Sequence, residues 1–366
     1  MKIEVCQPES PVLANMQQQG ESVQVVFDEI PESLVVLLSE LNAVAISPLV
    51  YWVTRGAARE LQQRFDVPTL AQWLNQNDYI WQVNQHKLHD EQGIVYAVLN
   101  VSPESFYNGD NVADNETMIQ RAGLLLAEGA DVIEVGGQTT KPGYIESGLE
   151  LSPIAEIERV APIILGIKAA FPNALVAIDT YKYEVMVKAV ALGVDIVNDV
   201  NGFTDDPRKL ALLSKTSVGL LTMWNPRVEK VTHLRQEMHD WFATNIRTLV
   251  EAGISRQRIA LDPGVGYSQN SEVDQDLAMM NTISHLQLFR RPIMTAVANK
   301  GWAKFLLELP KGERADVSLI AANEMFHRGA RILRVHDAKS AFQMTRVVRA
   351  IEKVFGHIKS LRLIFK

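Results

Sequence analysis

From Gly93 onward the chain alternates short apolar, β-branched runs with longer segments of helical period, and this limits the fold more than any other feature. Such alternation is the signature of repeated strand–helix–strand units and of a parallel sheet. The expected strands are Val95–Leu99, Val132–Val135, Leu175–Ile178, Ile196–Val197, Gly219–Thr222, Ile259–Leu261, Ile293–Ala296 and Ile332–Val335. Between them, Asn115–Glu128, Pro153–Ala170, Glu184–Leu192 and Thr232–Ala252 carry apolar residues at helical spacing. Eight strands in about 260 residues is the size of a (β/α)8 or TIM barrel, whereas an open doubly wound sheet more often has fewer strands.

The first 90 residues read differently. Helices are expected at Pro31–Leu41, Ala57–Phe65 and Thr69–Asn75, and the polar stretch Asn84–Gly93 reads as a linker. The division is therefore a small N-terminal extension, α/β or mostly helical, over residues 1–90 and a barrel over 91–366. The apolar run Ser33–Val53 contains Glu40, Asn42 and Pro48, so it reads as a buried helix followed by a strand or turn and not as a membrane span. A lone cysteine, Cys6, excludes an internal disulfide framework and suits a reducing compartment. The start of the chain has none of the marks of a signal peptide, so a cytoplasmic location is expected. A net charge of -7 without a basic cluster argues against a nucleic-acid partner.

In a barrel of this kind chemistry gathers where strands end and the following loops converge. The strand ends here carry Asn100, Glu134, Asp179, Asn198, Met223, Asp262, Lys300, Arg334 and His336. Any one polar strand end needs only to meet water, but a nearly complete set is harder to explain so. Asp179, Asn198, Asp262 and Lys300 have no place in apolar barrel layers, so they are expected to converge as a hydrogen-bonding set. That set complements the donor and acceptor edge of an aminopyrimidinone ring. Met223 is suited either to lie against a flat ring or to fill core space. Arg334 and His336, two apart on the last strand, suit a phosphate, and His336 is equally compatible with a structural role. The glycine loops Gly136–Gly143 and Asp262–Tyr267 permit close backbone approach but match no nucleotide-binding fingerprint.

Read in order, NVSPESF, GGQTTKPG, IDTYKYEV, IVNDVNG, LDPGVGY and RVHD resemble the ordered motifs of dihydropteroate synthases over about Leu99 to Val354. The resemblance implies a barrel that joins 6-hydroxymethyl-7,8-dihydropterin pyrophosphate to para-aminobenzoate with Mg2+. It implies a pterin pocket of Asp179, Asn198, Met223, Asp262 and Lys300. A pyrophosphate site of Asn100, Arg334 and His336 follows, with Asn100 on the metal. Two mobile loops are implied at Ser102–Asn111 and Gln138–Gly143, and Thr139, Thr140, Lys141, Pro142 and Tyr267 fall on the aminobenzoate side. Catalysis would rest on Asp179, Lys300 and Arg334, in a dissociative reaction without a side-chain nucleophile. A homodimer is expected through the outer helices. The sequence departs from the family pattern at Lys141, Ala298-Asn299, Val265, Tyr267 and Gln269, all on the amine-substrate side. A paralogue with another amine, a pterin-binding regulator, and a methyltetrahydrofolate-corrinoid methyltransferase are the alternatives. The last needs no pyrophosphate site.

Overall fold

A computed structural model describes residues 3–6, 22–65, 67–77, 79–101, 114–139, 147–227, 231–268 and 273–353. Contacts divide the chain into two compact units, one of residues 1–79, 287–290 and 347–366, the other of 80–286 and 291–346.

The first unit is α/β. Strands β1 (Ile3–Cys6), β2 (Ser22–Phe27), β3 (Val44–Ser47) and β4 (Val50–Thr54) form an antiparallel sheet in the order β1-β2-β4-β3. In β2, Val23, Val25 and Phe27 are buried, which is the period of two that a one-sided sheet requires. Helix α1 (Glu32–Glu40) buries Leu34, Leu37 and Leu38 at helical spacing, and α2 (Arg55–Phe65) and α3 (Pro68–Asn77) add Leu61 and Leu70 to the same core. Ser33–Val53 is thus a helix followed by a β-hairpin, and among the described residues no helix is long and apolar enough to cross a membrane.

The second unit opens with β5 (Ile80–Val83) and β6 (His86–His89), an antiparallel hairpin. The polar stretch read as a linker is therefore the turn and second arm of this hairpin, and the hairpin belongs to the barrel unit. Its short strands escaped the sequence reading because only one face is apolar. That face plugs the barrel: Trp81, fully buried, stacks on Tyr96 with ring centroids 6.4 Å apart and donates from Nε1 to the Arg258 carbonyl at 2.8 Å. Burial of each such ring contributes about 1.5–3 kcal/mol.

The barrel strands are β7 (Ile94–Asn100), β8 (Val132–Gly136), β9 (Leu175–Asp179), β10 (Ile196–Asp199), β11 (Gly219–Met223), β12 (Ile259–Asp262), β13 (Met294–Thr295) and β14 (Ile332–Val335). They are parallel neighbours in the order β12-β11-β10-β9-β8-β7-β14-β13, and a parallel bridge from Leu261 to Ile293 closes the ring. Helices α4 (Asn115–Ala127), α5 (Pro153–Ala170), α6 (Tyr183–Ala191), α7 (Pro207–Leu213), α8 (Leu234–Glu251), α9 (Val273–Thr282), α10 (Gly301–Leu307), α11 (Ala315–His327) and α12 (Ala338–Lys353) lie between or after the strands. Local sequence starts them: Asp114 caps α4 by accepting from the Thr117 N–H at 2.7 Å, and Ser152, followed by Pro153, caps α5. The (β/α)8 barrel expected from the alternation is the observed fold.

Candidate active site

Alternation along the strands builds the site. Tyr96, Val132, Ala177, Ile196, Leu221, Ala260, Met294 and Ile332 share one buried cluster with Trp81, so they point inward. Side chains two or four positions further along point the same way. Those positions are Asn100, Glu134, Asp179, Asn198, Met223, Asp262 and Arg334. The inward row changes from hydrocarbon to polar groups at the C-terminal ends. Register aligns the row, since Asn100 pairs with Gly136, Gly136 with Asp179, and Asp179 with Asn198.

At the centre stands Glu134, which is fully buried. Its Oε1 accepts from Arg334 Nε at 2.7 Å and from Arg334 Nη2, and its Oε2 accepts from Asn198 Nδ2 at 3.0 Å. Arg334 Nη2 also donates to Asp179 Oδ2 at 2.7 Å. Four side chains from four strands thus form one network. Asn198 Oδ1 is buried with no partner, an acceptor left for something not supplied by the protein. From the sequence alone Glu134 is recognisable only as a polar strand end. Its signal was the parity of Val132, Glu134 and Gly136.

Around the mouth, Asp262 Oδ1 accepts from the Gly264 N–H at 2.8 Å, and Met223 packs with Val200 and Tyr267. The Lys300 ammonium lies 4.9 Å from the Tyr267 ring centroid and the Arg227 guanidinium 4.0 Å from it. Arg227 Nη2 also donates to the Gly266 carbonyl at 3.3 Å. No sequence motif flagged Arg227. Gly266 has φ +84°, and a Cβ there would stand 2.6 Å from Lys300 Cδ, so only glycine lets the lysine stem pass.

The charges perturb one another. Burial, then Glu134, pushes the Asp179 carboxyl up to about 7 against the pull of Arg334. Burial also raises Asp262, opposed by the Gly264 N–H, Lys300 and Arg334. Burial and Arg334 bring Lys300 down to about 8, with Asp262 opposing. Burial works against charge on Arg334, but Glu134 and Asp179 outweigh it and hold the guanidinium protonated. Asp179, Asn198, Asp262, Lys300 and Arg334 are therefore brought together, by contact or by mutual field.

Other candidate residues are placed less centrally. Asn100 Oδ1 lies 3.2 Å from where a Gly136 Cβ would be. His336 is exposed and, with Arg334, Asn299, Asp316, Ser318 and Ser340, lines a cavity of about 90 Å³ beside the ends of β13 and β14. Asp179, Asn198, Asp262 and Lys300 do not line that cavity. Thr139 is half-buried, while Thr140, Lys141, Pro142, Gln269 and the loop 102–111 lie outside the described residues. At the foot of the second loop, Gln138 Nε2 donates to the Tyr181 hydroxyl at 2.9 Å, and Lys182, paired with Glu156 at 2.7 Å, donates to Gln138 Oε1. Behind β10, the buried pair Lys209 and Asp199, 2.7 Å apart, fixes the following loop.

A parallel barrel whose mouth offers acids, an amide and cations in this order is the frame of a pterin-binding enzyme, and residues 96–336 match the family described as pterin binding enzyme. A dihydropteroate synthase of Streptococcus pyogenes is 30% identical over 261 residues, which cover 71% of this chain and 96% of the relative. The structure of Xanthomonas albilineans dihydropteroate synthase with 4-aminobenzoic acid superposes with a TM-score of 0.69 at 26% identity, over 76% of this chain and all of that one. The same organism's enzyme in complex with 7,8-dihydropteroate gives 0.67 at 25% identity over 75% of this chain. The chain belongs to the pterin-binding enzyme family, among the dihydropteroate synthases, and is a transferase.

Proposed function

We propose that this chain condenses 6-hydroxymethyl-7,8-dihydropterin pyrophosphate with para-aminobenzoate, giving 7,8-dihydropteroate and pyrophosphate in folate biosynthesis. The observation that carries the reading is the polar inward row with its unpartnered Asn198 oxygen, which complements a ring edge rich in N–H donors. Asp179, Asn198 and Asp262 take the pterin edge, Met223 its face, and Lys300 an acceptor on the ring. Arg334, with Asn100 and His336, faces the diphosphate.

Bond breaking to the diphosphate leaves positive charge on the pterin methylene, and the Asp179 carboxylate offsets it. The neutral amine of the second substrate then attacks, and its surplus proton leaves to solvent. A side-chain nucleophile is not required. Among the described residues no group of three or more His, Cys, Asp or Glu could hold a metal. Mg2+ fits the site nonetheless, because it keeps water and phosphate oxygens as ligands and needs only a hard donor such as the Asn100 carbonyl from the protein. When bound, it would neutralise charge on the diphosphate. A cytoplasmic homodimer acting on small molecules completes the proposal.

One observation favours a related second reading. The amine side of the mouth carries Tyr267 with both Arg227 and Lys300 over its ring, and Ala298-Asn299 precede the lysine, which suits a different arylamine. The direct test incubates the protein with the dihydropterin pyrophosphate, Mg2+ and para-aminobenzoate and assays 7,8-dihydropteroate. Absence of that product, with pterin still bound, would move the assignment to the second reading. Methyl transfer from methyltetrahydrofolate to a cobalamin carrier would replace both.

A further inference from the structure

We infer that Glu134 determines specificity at a distance: it fixes which way the Asn198 amide points, so that the site accepts a hydrogen bond from its ligand at that position and does not offer one. The inference rests on the pterin reading only in naming the ligand.

The two ends of an asparagine amide have nearly the same shape, and their sense is set by partners. An ionised carboxylate can only accept. Glu134 Oε2 faces Asn198 Nδ2 at 3.0 Å, while Oε1 is taken by Arg334 Nε at 2.7 Å and by Nη2. Arginine can only donate, so the carboxylate cannot be exchanged for a group of mixed character without consequence. Asn198 must therefore give its nitrogen to Glu134 and turn its oxygen elsewhere. That oxygen is the buried, unpartnered Oδ1. Both residues are nearly without solvent exposure, so water does not relax the constraint. Glu134 is then a positioning residue, acting on the ligand through Asn198.

Glu134→Gln tests this. The new side chain must keep its oxygen toward Arg334 and so turn its amide toward Asn198, which can respond only by rotating its own oxygen inward and its nitrogen toward the ligand. Calorimetry with 6-hydroxymethylpterin should show affinity weakened about 10- to 100-fold, the scale of one buried hydrogen bond replaced by facing donors. Glu134→Gln/Asn198→Asp should bind within about threefold of the native protein, because a carboxylate at position 198 accepts from the new amide with one oxygen and from the ligand with the other. The pair also restores charge, so Asn198→Ala, which leaves Glu134 and Arg334 in place, is the control, with a loss like that of Glu134→Gln expected. Native affinity in Glu134→Gln, or a double variant no tighter than the single, would overturn the inference while leaving the pterin reading intact. Failure of the native protein to bind pterin would overturn both.

Discussion

Replacing Lys300 by methionine probes the cation at the mouth with opposite effects on binding and stability. The ammonium sits 4.9 Å from the Tyr267 centroid, and burial and Arg334 bring its pKa from 10.5 down to about 8. That depression disfavours the charged form in the folded state by about 3 kcal/mol. A lysine whose folded value lies below its unfolded one costs stability at neutral pH, and the cost fades as pH rises through 8 to 10.5. Methionine has no charge to desolvate and keeps the stem against the aromatic ring. The variant should therefore melt at pH 7 at the native temperature or up to about 5 °C above it. Its affinity for the dihydropterin pyrophosphate should fall about 10- to 150-fold, the worth of one charge-assisted hydrogen bond. Scanning fluorimetry and titration calorimetry read the two quantities on the same sample. A clear drop in melting temperature with unchanged affinity would show that Lys300 is a structural residue and would refute the reasoning.

The kcat/KM profile should follow a narrow bell in pH, rising as Asp179 loses its proton near 7 and falling as Lys300 loses its own near 8. Asp179→Asn should abolish the acid limb of the kcat/KM profile and keep the alkaline one. Lys209→Met strands the Asp199 carboxylate, already pushed up to about 6 by burial, and should cost about 3–5 kcal/mol, read from the urea midpoint. Adding Asp199→Asn should return most of that loss. Asn100→Ala should raise the Mg2+ concentration for half-maximal rate by about tenfold, while binding of 6-hydroxymethylpterin stays the same.

Strand positions were legible because parallel barrel strands are buried on both faces and read as plain apolar runs. Val132, Leu175, Gly219, Ile259 and Ile332 begin observed strands where the apolar runs predict them. The β5–β6 hairpin was not legible, since buried Trp81 and Val83 alternate with half-buried Ile80 and Gln82 in four-residue arms too short to stand out from polar surroundings. Of the first unit's four-stranded sheet only a strand or turn at the end of Ser33–Val53 was legible, the other strands being short and joined by segments of mixed character. In the site, polar strand ends named Asp179, Asn198, Asp262 and Lys300 as a group, and the structure brings them to one mouth. Partnership was invisible: nothing in the order of residues says that Glu134 reaches Asn198 two strands away, or that Arg227 lies over Tyr267.

Gly266 carries a wider consequence for how this family's tolerance to change should be interpreted. The position contributes no side chain, and its value is vacancy, the room through which a neighbouring stem runs. A saturation screen scored on growth would rank it alongside direct contacts, although a ligand need never touch it.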